Sequence, residues 1–294
     1  MQWDGGAPNA HTGSLLRNIG ETLGVFGELD LVPAKGLVKL SYKSSVRVKD
    51  LFALEDTVAT LTSPLWPETI LPPIDRTRAD RGRLVYERTC IGCHRILAGA
   101  ERTNPNRKIK ANMIPLHEIG TDPLTATNFA KRTVKTGLLK GSKAVAFLGK
   151  PLAEEIPALD LLKNAVIGVM IKNWAKSPLN EIKAAAVKGS LDPPNVLAYK
   201  ARPLNGIWAT APYLHNGSVP TLYDMVQRPE DRPKTFHVGS REFDPVKVGY
   251  DTREGPGTSL LDTSLPGNSN VGHPFSADLD HESRLDLVEF LKTL

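Results

Sequence analysis

The chain has 294 residues, 40% of them hydrophobic and 23% charged, with a formal net charge of +5. That length suits one large or two modest domains. Basic residues scattered without interleaved aromatics exclude a nucleic-acid interface, and the longest apolar run, Ala165 to Ile171, is far too short for a membrane span. With 24 glycines and 23 prolines, a little above ordinary usage, the chain is expected to be loop-rich.

Met1 to Gly24 contains no apolar core behind a positive start, so an export leader is expected to lie outside this stretch. Ser14 to Leu23 is amphipathic and predicts a helix. Its surroundings faintly echo Leu214 to Val226, as two related modules would. Alternation around Leu37 to Tyr42 reads as a strand. Leu51, Leu54, Val58 and Leu61 predict a short helix over 50–62. Pro64, Pro67, Pro72 and Pro73 then mark an extended linker and a domain boundary, giving domains at 1–74 and 75–294.

From Asp75, an N-cap candidate, Ala79, Gly82, Val85 and Tyr86 line one face of a helix that runs into Cys90-Ile91-Gly92-Cys93-His94. The spacing C-x-x-C-H is that of c-type haem attachment. Each thiol can add across one haem vinyl group, and the histidine that follows at once can take an axial position on the iron. These are the only two cysteines in the chain. A zinc knuckle would need a second ligand pair. A thioredoxin-like redox pair would need a βαβ context, and neither is present. A coincidental pair of buried thiols is the remaining alternative. One covalent haem c is therefore expected, held by Cys90, Cys93 and His94.

Residues 100–200 read as a long insertion: a solvated basic loop over Arg102 to Lys110, one solid helix over Asp160 to Trp174, and a break at Asp192 to Asn195. Residues 228–270, rich in Pro, Gly, Asp and Arg, read as loop. Asp280 can cap a closing helix over His281 to Leu294. On it Leu285, Leu287, Val288, Phe290, Leu291 and Leu294 form a broad apolar side, and Gly82 would let Phe290 come close. The fold class expected is mainly α: a cytochrome c-type haem domain with long loops and a mostly irregular N-terminal segment. A sixth iron ligand would be Met or His. Candidates are Met113, His117, Met170, His215 and His273, while His11, His237 and His281 read as surface residues.

Residues 199–222, YKARPLNGIWATAPYLHNGSVPTL, resemble the C-terminal haem domain of di-haem cytochrome c peroxidase-like proteins, the superfamily that includes MauG and the rubber oxygenases. Thr210 to Gly217 and Gly267 to His273 look nearest to the rubber-oxygenase-like branch. Gln2-Trp3-Asp4-Gly5 resembles a W-D-G stretch late in the first haem domain of that family. The resemblance implies a two-haem architecture of which this chain keeps the second haem and the tail of the first. In such proteins one haem is saturated and relays electrons while the other is open to peroxide or oxygen. Classical peroxidases carry a methionine ligand where this chain has Pro229, which cannot ligate iron, and Met225 lies too early. The resemblance carries the sixth-ligand role to His273, with His215 as runner-up. It also places Trp208 and Arg202 near the haem edge, as an electron path and a propionate partner. What it implies overall is a periplasmic haem c module that transfers electrons within a di-haem oxidoreductase. Its partner would be a redox protein or an N-terminal haem domain, and there is no membrane span. The alternative is a peroxidase or oxygenase acting at an open iron, with His215 giving acid–base help.

Overall fold

The computed structural model describes residues 14–33, 40–104, 111–145, 148–173 and 197–294. The W-D-G stretch, His11, half of the 37–42 strand, residues 105–110 and the break at 192–195 lie outside them. In chain order the helices are α1 (Ser14–Val25), α2 (Val48–Ala59), α3 (Arg76–Thr89), α4 (Gly99–Thr103), α5 (Leu116–Ile119), α6 (Leu124–Lys131), α7 (Ala158–Lys172), α8 (Leu222–Met225) and α9 (His281–Lys292). The strands are β1 (Leu29–Asp30), β2 (Lys43–Ser44), β3 (Asn112–Pro115), β4 (Thr133–Lys135), β5 (Lys143–Val145), β6 (Leu148–Pro151), β7 (Glu155–Pro157), β8 (Ala198–Ala201), β9 (Thr235–Val238), β10 (Phe243–Asp244), β11 (Gly249–Tyr250) and β12 (Ser259–Asp262).

The expectation of a mainly α fold is corrected by these strands. Among the described residues they form six separate two-stranded antiparallel sheets: β1–β2, β3–β8, β4–β7, β5–β6, β9–β12 and β10–β11. The reading of 228–270 as loop is corrected with it, since β9 to β12 all fall there. Strands of two to four residues hold too few alternations to register as a period of two, and for β3–β8 and β9–β12 the partner lies far along the chain.

The chain divides into two units. Unit 1 takes residues 1–61, 104–111 and 126–197. Its core gathers Ile19, Tyr42, Val48, Val166, Val169 and Met170, with α7 at the centre. Tyr42 lies flat against Gly168, and its hydroxyl donates to Asn164 Oδ1 over 2.7 Å. The amide of Asn164 in turn donates to the carbonyl of Lys143.

Unit 2 takes residues 62–103, 112–125 and 198–294. Its core joins α3 to α9 through Ala79, Val85, Tyr86, Leu287, Val288, Phe290 and Leu291. Both helices start on aspartate caps: Asp75 accepts from the backbone N–H of Arg78, and Asp280 from that of Ser283. The rings of Tyr86 and Phe290 meet with centroids 5.2 Å apart. Trp66, Trp208, Phe243 and Tyr250 make a second aromatic group, with the two indoles edge to face at 5.4 Å.

Candidate haem site

The C-x-x-C-H segment is held by groups far from it in the chain. Cys90 is the C-cap of α3, and the backbone N–H groups of Cys93 and His94 both donate to its carbonyl. Tyr86, one helical turn before Cys90, donates its hydroxyl to the carbonyl of His94 over 2.6 Å. Burial pushes the Tyr86 phenol well above its ordinary range, so it stays a donor. The β3–β8 pair supplies the rest. Its register sets Asn112 opposite Ala201. From that end the Asn112 amide donates to the carbonyl of Cys93 over 2.8 Å, and the next carbonyl, that of Arg202, meets His94 Nδ1 at 2.6 Å.

That last bond fixes the chemistry of the His94 ring. A carbonyl can only accept, so Nδ1 carries the proton and Nε2 keeps a free lone pair. Burial holds the His94 pKa below its usual value, opposed by the bond to Arg202. Both thiols are free and half-buried, and Cys90 Sγ lies 3.2 Å from the hydroxyl of Thr89. Burial raises the Cys90 thiol pKa.

His273 is brought to the site from far along the chain. Its ring centroid lies 6.1 Å from that of His94, with the planes at 54°. Its backbone N–H donates to the carbonyl of Ile119 over 2.8 Å. The two residues Gly272 and His273 both have positive φ, 79° and 51°. A β-carbon on Gly272 would collide with the backbone of Gly120 and Thr121, so only glycine allows the two loops to cross there. Burial, with His94 and Arg232 nearby, holds the His273 pKa down to about 4. The imidazole is therefore neutral at neutral pH, as a metal ligand must be. Its Nδ1 is buried and has no hydrogen-bond partner among the described residues.

The remaining sequence candidates fall elsewhere. His215 stacks on Tyr199, centroids 3.9 Å apart and planes within 20°. Its neighbour Asn216 donates to the carbonyls of Gly267 and Ser269, both over 3.0 Å, and so ties this turn to the segment leading to His273. Arg202 meets the site through its backbone carbonyl. Trp208 donates its indole N–H to the carbonyl of Pro64 over 3.1 Å. Met113 is a β3 residue paired with Lys200, His117 has an exposed side chain, and Met170 is buried in the core of unit 1. Among the surface assignments, His237 bonds the Thr258 hydroxyl and His281 the Tyr223 hydroxyl.

Sequence reasoning missed Asn112, Asn216 and Arg232. All three act on backbone carbonyls, which carry no residue-specific signal. Asn216 and Asn112 lay beside the ligand candidates His215 and Met113, but neither was assigned a role.

Residues 198–237 match the family described as RoxA-like, cytochrome c-like. This match supports a cytochrome c-like domain around that stretch, which lies within unit 2. Such a domain implies haem binding, and Tyr199, Arg202, Trp208, His215, Asn216 and Arg232 all lie inside the matched stretch. The chain is also similar to the uncharacterized protein y4iJ of Sinorhizobium fredii, 34% identical over 95% of this chain and 50% of that protein. A second relative from the same organism, the uncharacterized protein y4iM, is 36% identical over 34% of this chain and 28% of that protein. The chain thus spans about half the length of y4iJ. Cytochrome c-like domains are typically extracytoplasmic, and no helix among the described residues is long and apolar enough to cross a membrane.

The cytochrome c-like site can be tested against the haem that such a domain implies. Two imidazoles on opposite sides of one metal, with metal–nitrogen bonds of about 2 Å, have ring centroids about 6 Å apart. The His94 and His273 centroids, 6.1 Å apart, match that separation. The thiols of Cys90 and Cys93 are unpaired, and the large apolar side chains of Ile91, Val271 and Phe275, next to the two histidines in the chain, are exposed. The residues present fit the group.

Proposed function

We propose that this chain is a haem c-binding module that relays electrons, with Cys90 and Cys93 as thioether anchors and His94 and His273 as the two axial ligands. The approach of His94 and His273 carries this reading: two neutral imidazoles, far apart in the chain, whose centroids lie 6.1 Å apart, a separation that would suit one iron between them. When bound, the haem supplies a one-electron ferric–ferrous couple. The protein's own residues set its character. The bond from His94 Nδ1 to the Arg202 carbonyl orients that ring and raises its basicity. A second histidine in place of methionine favours the ferric state and lowers the potential.

His273 over the site weighs against an open iron position in this unit. The peroxidase or oxygenase reading therefore belongs to a second haem in an N-terminal domain, with this module as its electron donor or acceptor. The resemblance to the di-haem superfamily supports that arrangement. Covalent haem attachment supports a periplasmic setting. His215, Arg202 and Trp208 are assigned supporting roles: His215 and Arg202 at the haem edge, and Trp208 as the start of an aromatic route through Trp66 and Phe243.

The test is protein made with a haem-maturation system. A mass increased by one porphyrin, and a ferrous spectrum unchanged by carbon monoxide, are expected. H273A should make the ferrous protein bind carbon monoxide. The bare polypeptide mass would refute haem attachment, and an H273A spectrum identical to that of the parent would refute the ligand assignment.

A further inference from the structure

His94 and His273 are oriented by different means. The ring of His94 is fixed by its own Nδ1–H on the Arg202 carbonyl. The Nδ1 of His273 has no such bond to another residue among the described residues; the ring meets Phe275 edge to face at 4.9 Å, and its direction otherwise rests on its backbone. That backbone is strained, with φ 51° at His273 and 79° at Gly272, and a non-glycine residue in the left-handed region persists only where its surroundings impose it.

Arg232 is placed to impose it, beside the bond from the His273 N–H to the Ile119 carbonyl. The residue follows the 3-10 turn Pro229–Asp231 and is 2% exposed. Its Nη1 donates to the carbonyls of Asn270 (2.6 Å) and Gly272 (2.9 Å), and its Nη2 to those of His273 (3.2 Å) and Met225 (3.2 Å). Three of the four acceptors belong to the four-residue segment ending at His273. The fourth belongs to α8 and anchors the clamp to the core. Among the described residues no carboxylate shares a hydrogen bond with the guanidinium, and its Nε has no partner. Burying such a cation without a bonded carboxylate is costly, and an ordinary loop does not need it. The planar fork suits the task, because it reaches several carbonyls at once where an ammonium would reach fewer.

We propose that Arg232 is the positioning residue for His273: its guanidinium ties together the carbonyls around Gly272 and holds the His273 ring in its posture toward His94. This deepens the haem reading above and rests on it. Arg232 touches neither ring, so it acts through His273 alone.

The experiment uses the full chain, matured with haem, as R232K and R232Q beside H273A and the parent. Both arginine variants should keep the parent's porphyrin mass and far-UV circular dichroism. Their ferrous forms should bind carbon monoxide as H273A does, with the ratio of unligated to ligated iron raised about tenfold or more. R232K should be less affected than R232Q, and added imidazole should restore the parent spectrum in both. Carbon monoxide insensitivity in both variants, with H273A reactive, overturns the proposal and leaves the haem reading standing. An unreactive H273A overturns the ligand assignment and this proposal together. Failure of both arginine variants to fold, with H273A folding normally, also overturns it, because a residue needed by the whole unit is not a positioning residue for one loop.

Discussion

Gly82 lies so close to the backbone carbonyl of Asp286 that a β-carbon at position 82 would overlap that oxygen, and would come within 2.9 Å of Phe290 Cβ. The α3–α9 crossing therefore places backbone on backbone, which lets Tyr86 and Phe290 mesh on one side. On the other side, Asp286 receives a two-pronged contact from Arg81. A helix contact this tight is set by the smallest side chain at the crossing.

G82A should force the two helices apart. The loss expected is about 1–3 kcal/mol, as for overpacking of a well-filled core, or more because the obstacle is backbone and cannot rotate away. Thermal unfolding of the full chain reads it. A melting temperature equal to that of the parent would mean that the crossing adapts freely, and the packing account would fail.

D286N tests the polar half of the same crossing. Asp286 is buried, and its carboxylate accepts from Arg81 Nε and Nη2, each at 2.7 Å, and from Arg78 Nη1 at 3.2 Å. The amide retains the volume but loses the charge and one acceptor, so a cost of about 1–2 kcal/mol is expected. The half-exposed Arg81 guanidinium places it toward the lower end. The difference between parent and variant should shrink as salt is raised, and a difference constant with salt would count against an ionic origin.

What was legible in the sequence was local. Asp75 and Asp280 announced their helices because a cap is written within three residues of the turn it closes, and C-x-x-C-H is written in five. Gly82 was legible as a small residue facing Phe290, though not as a contact with the Asp286 carbonyl. The strands were illegible for the opposite reason. Asn112 pairs with Ala201 and Thr235 with Asp262, and no window of a few residues contains both halves. Arg232 was illegible because its acceptors are main-chain carbonyls, which every residue has. His273 was one ligand candidate among several until the resemblance favoured it, and among its own neighbours Gly272 and Pro274 hinted at the unusual backbone.

G272A addresses that backbone directly. Gly272 crosses Gly120 so closely that an added β-carbon would strike the Gly120 carbonyl group and the Thr121 nitrogen. Its φ of 79° is also strained for alanine. The loop from Ile119 to Thr121 must move, and it holds the bond from the His273 backbone N–H to the Ile119 carbonyl. A loss of about 1–3 kcal/mol is expected, together with carbon monoxide binding by the matured ferrous protein. Retention of the parent spectrum would show that His273 does not depend on this crossing.

D224N carries the pH dependence. Asp224 is a buried residue of α8, where it accepts from the Thr221 hydroxyl at 2.6 Å. Burial raises its pKa from 3.8, against smaller opposing effects of that hydrogen bond, Lys247 and Arg232. In the folded chain the group therefore holds its proton to higher pH than in the unfolded chain. Its favourable contribution is complete below pH 3.8 and is lost as pH rises through the raised value, because the folded state then has to ionise a carboxyl it would rather keep neutral. Asparagine accepts the same Thr221 hydrogen bond and never ionises. D224N should thus gain stability relative to the parent as pH rises from 4 to 7, with the two converging toward the acid end. Urea unfolding at several pH values measures this difference. A parent that instead gains on D224N as pH rises would mean that Asp224 is stabilised as the anion, with the Arg232 and Lys247 charges outweighing its burial.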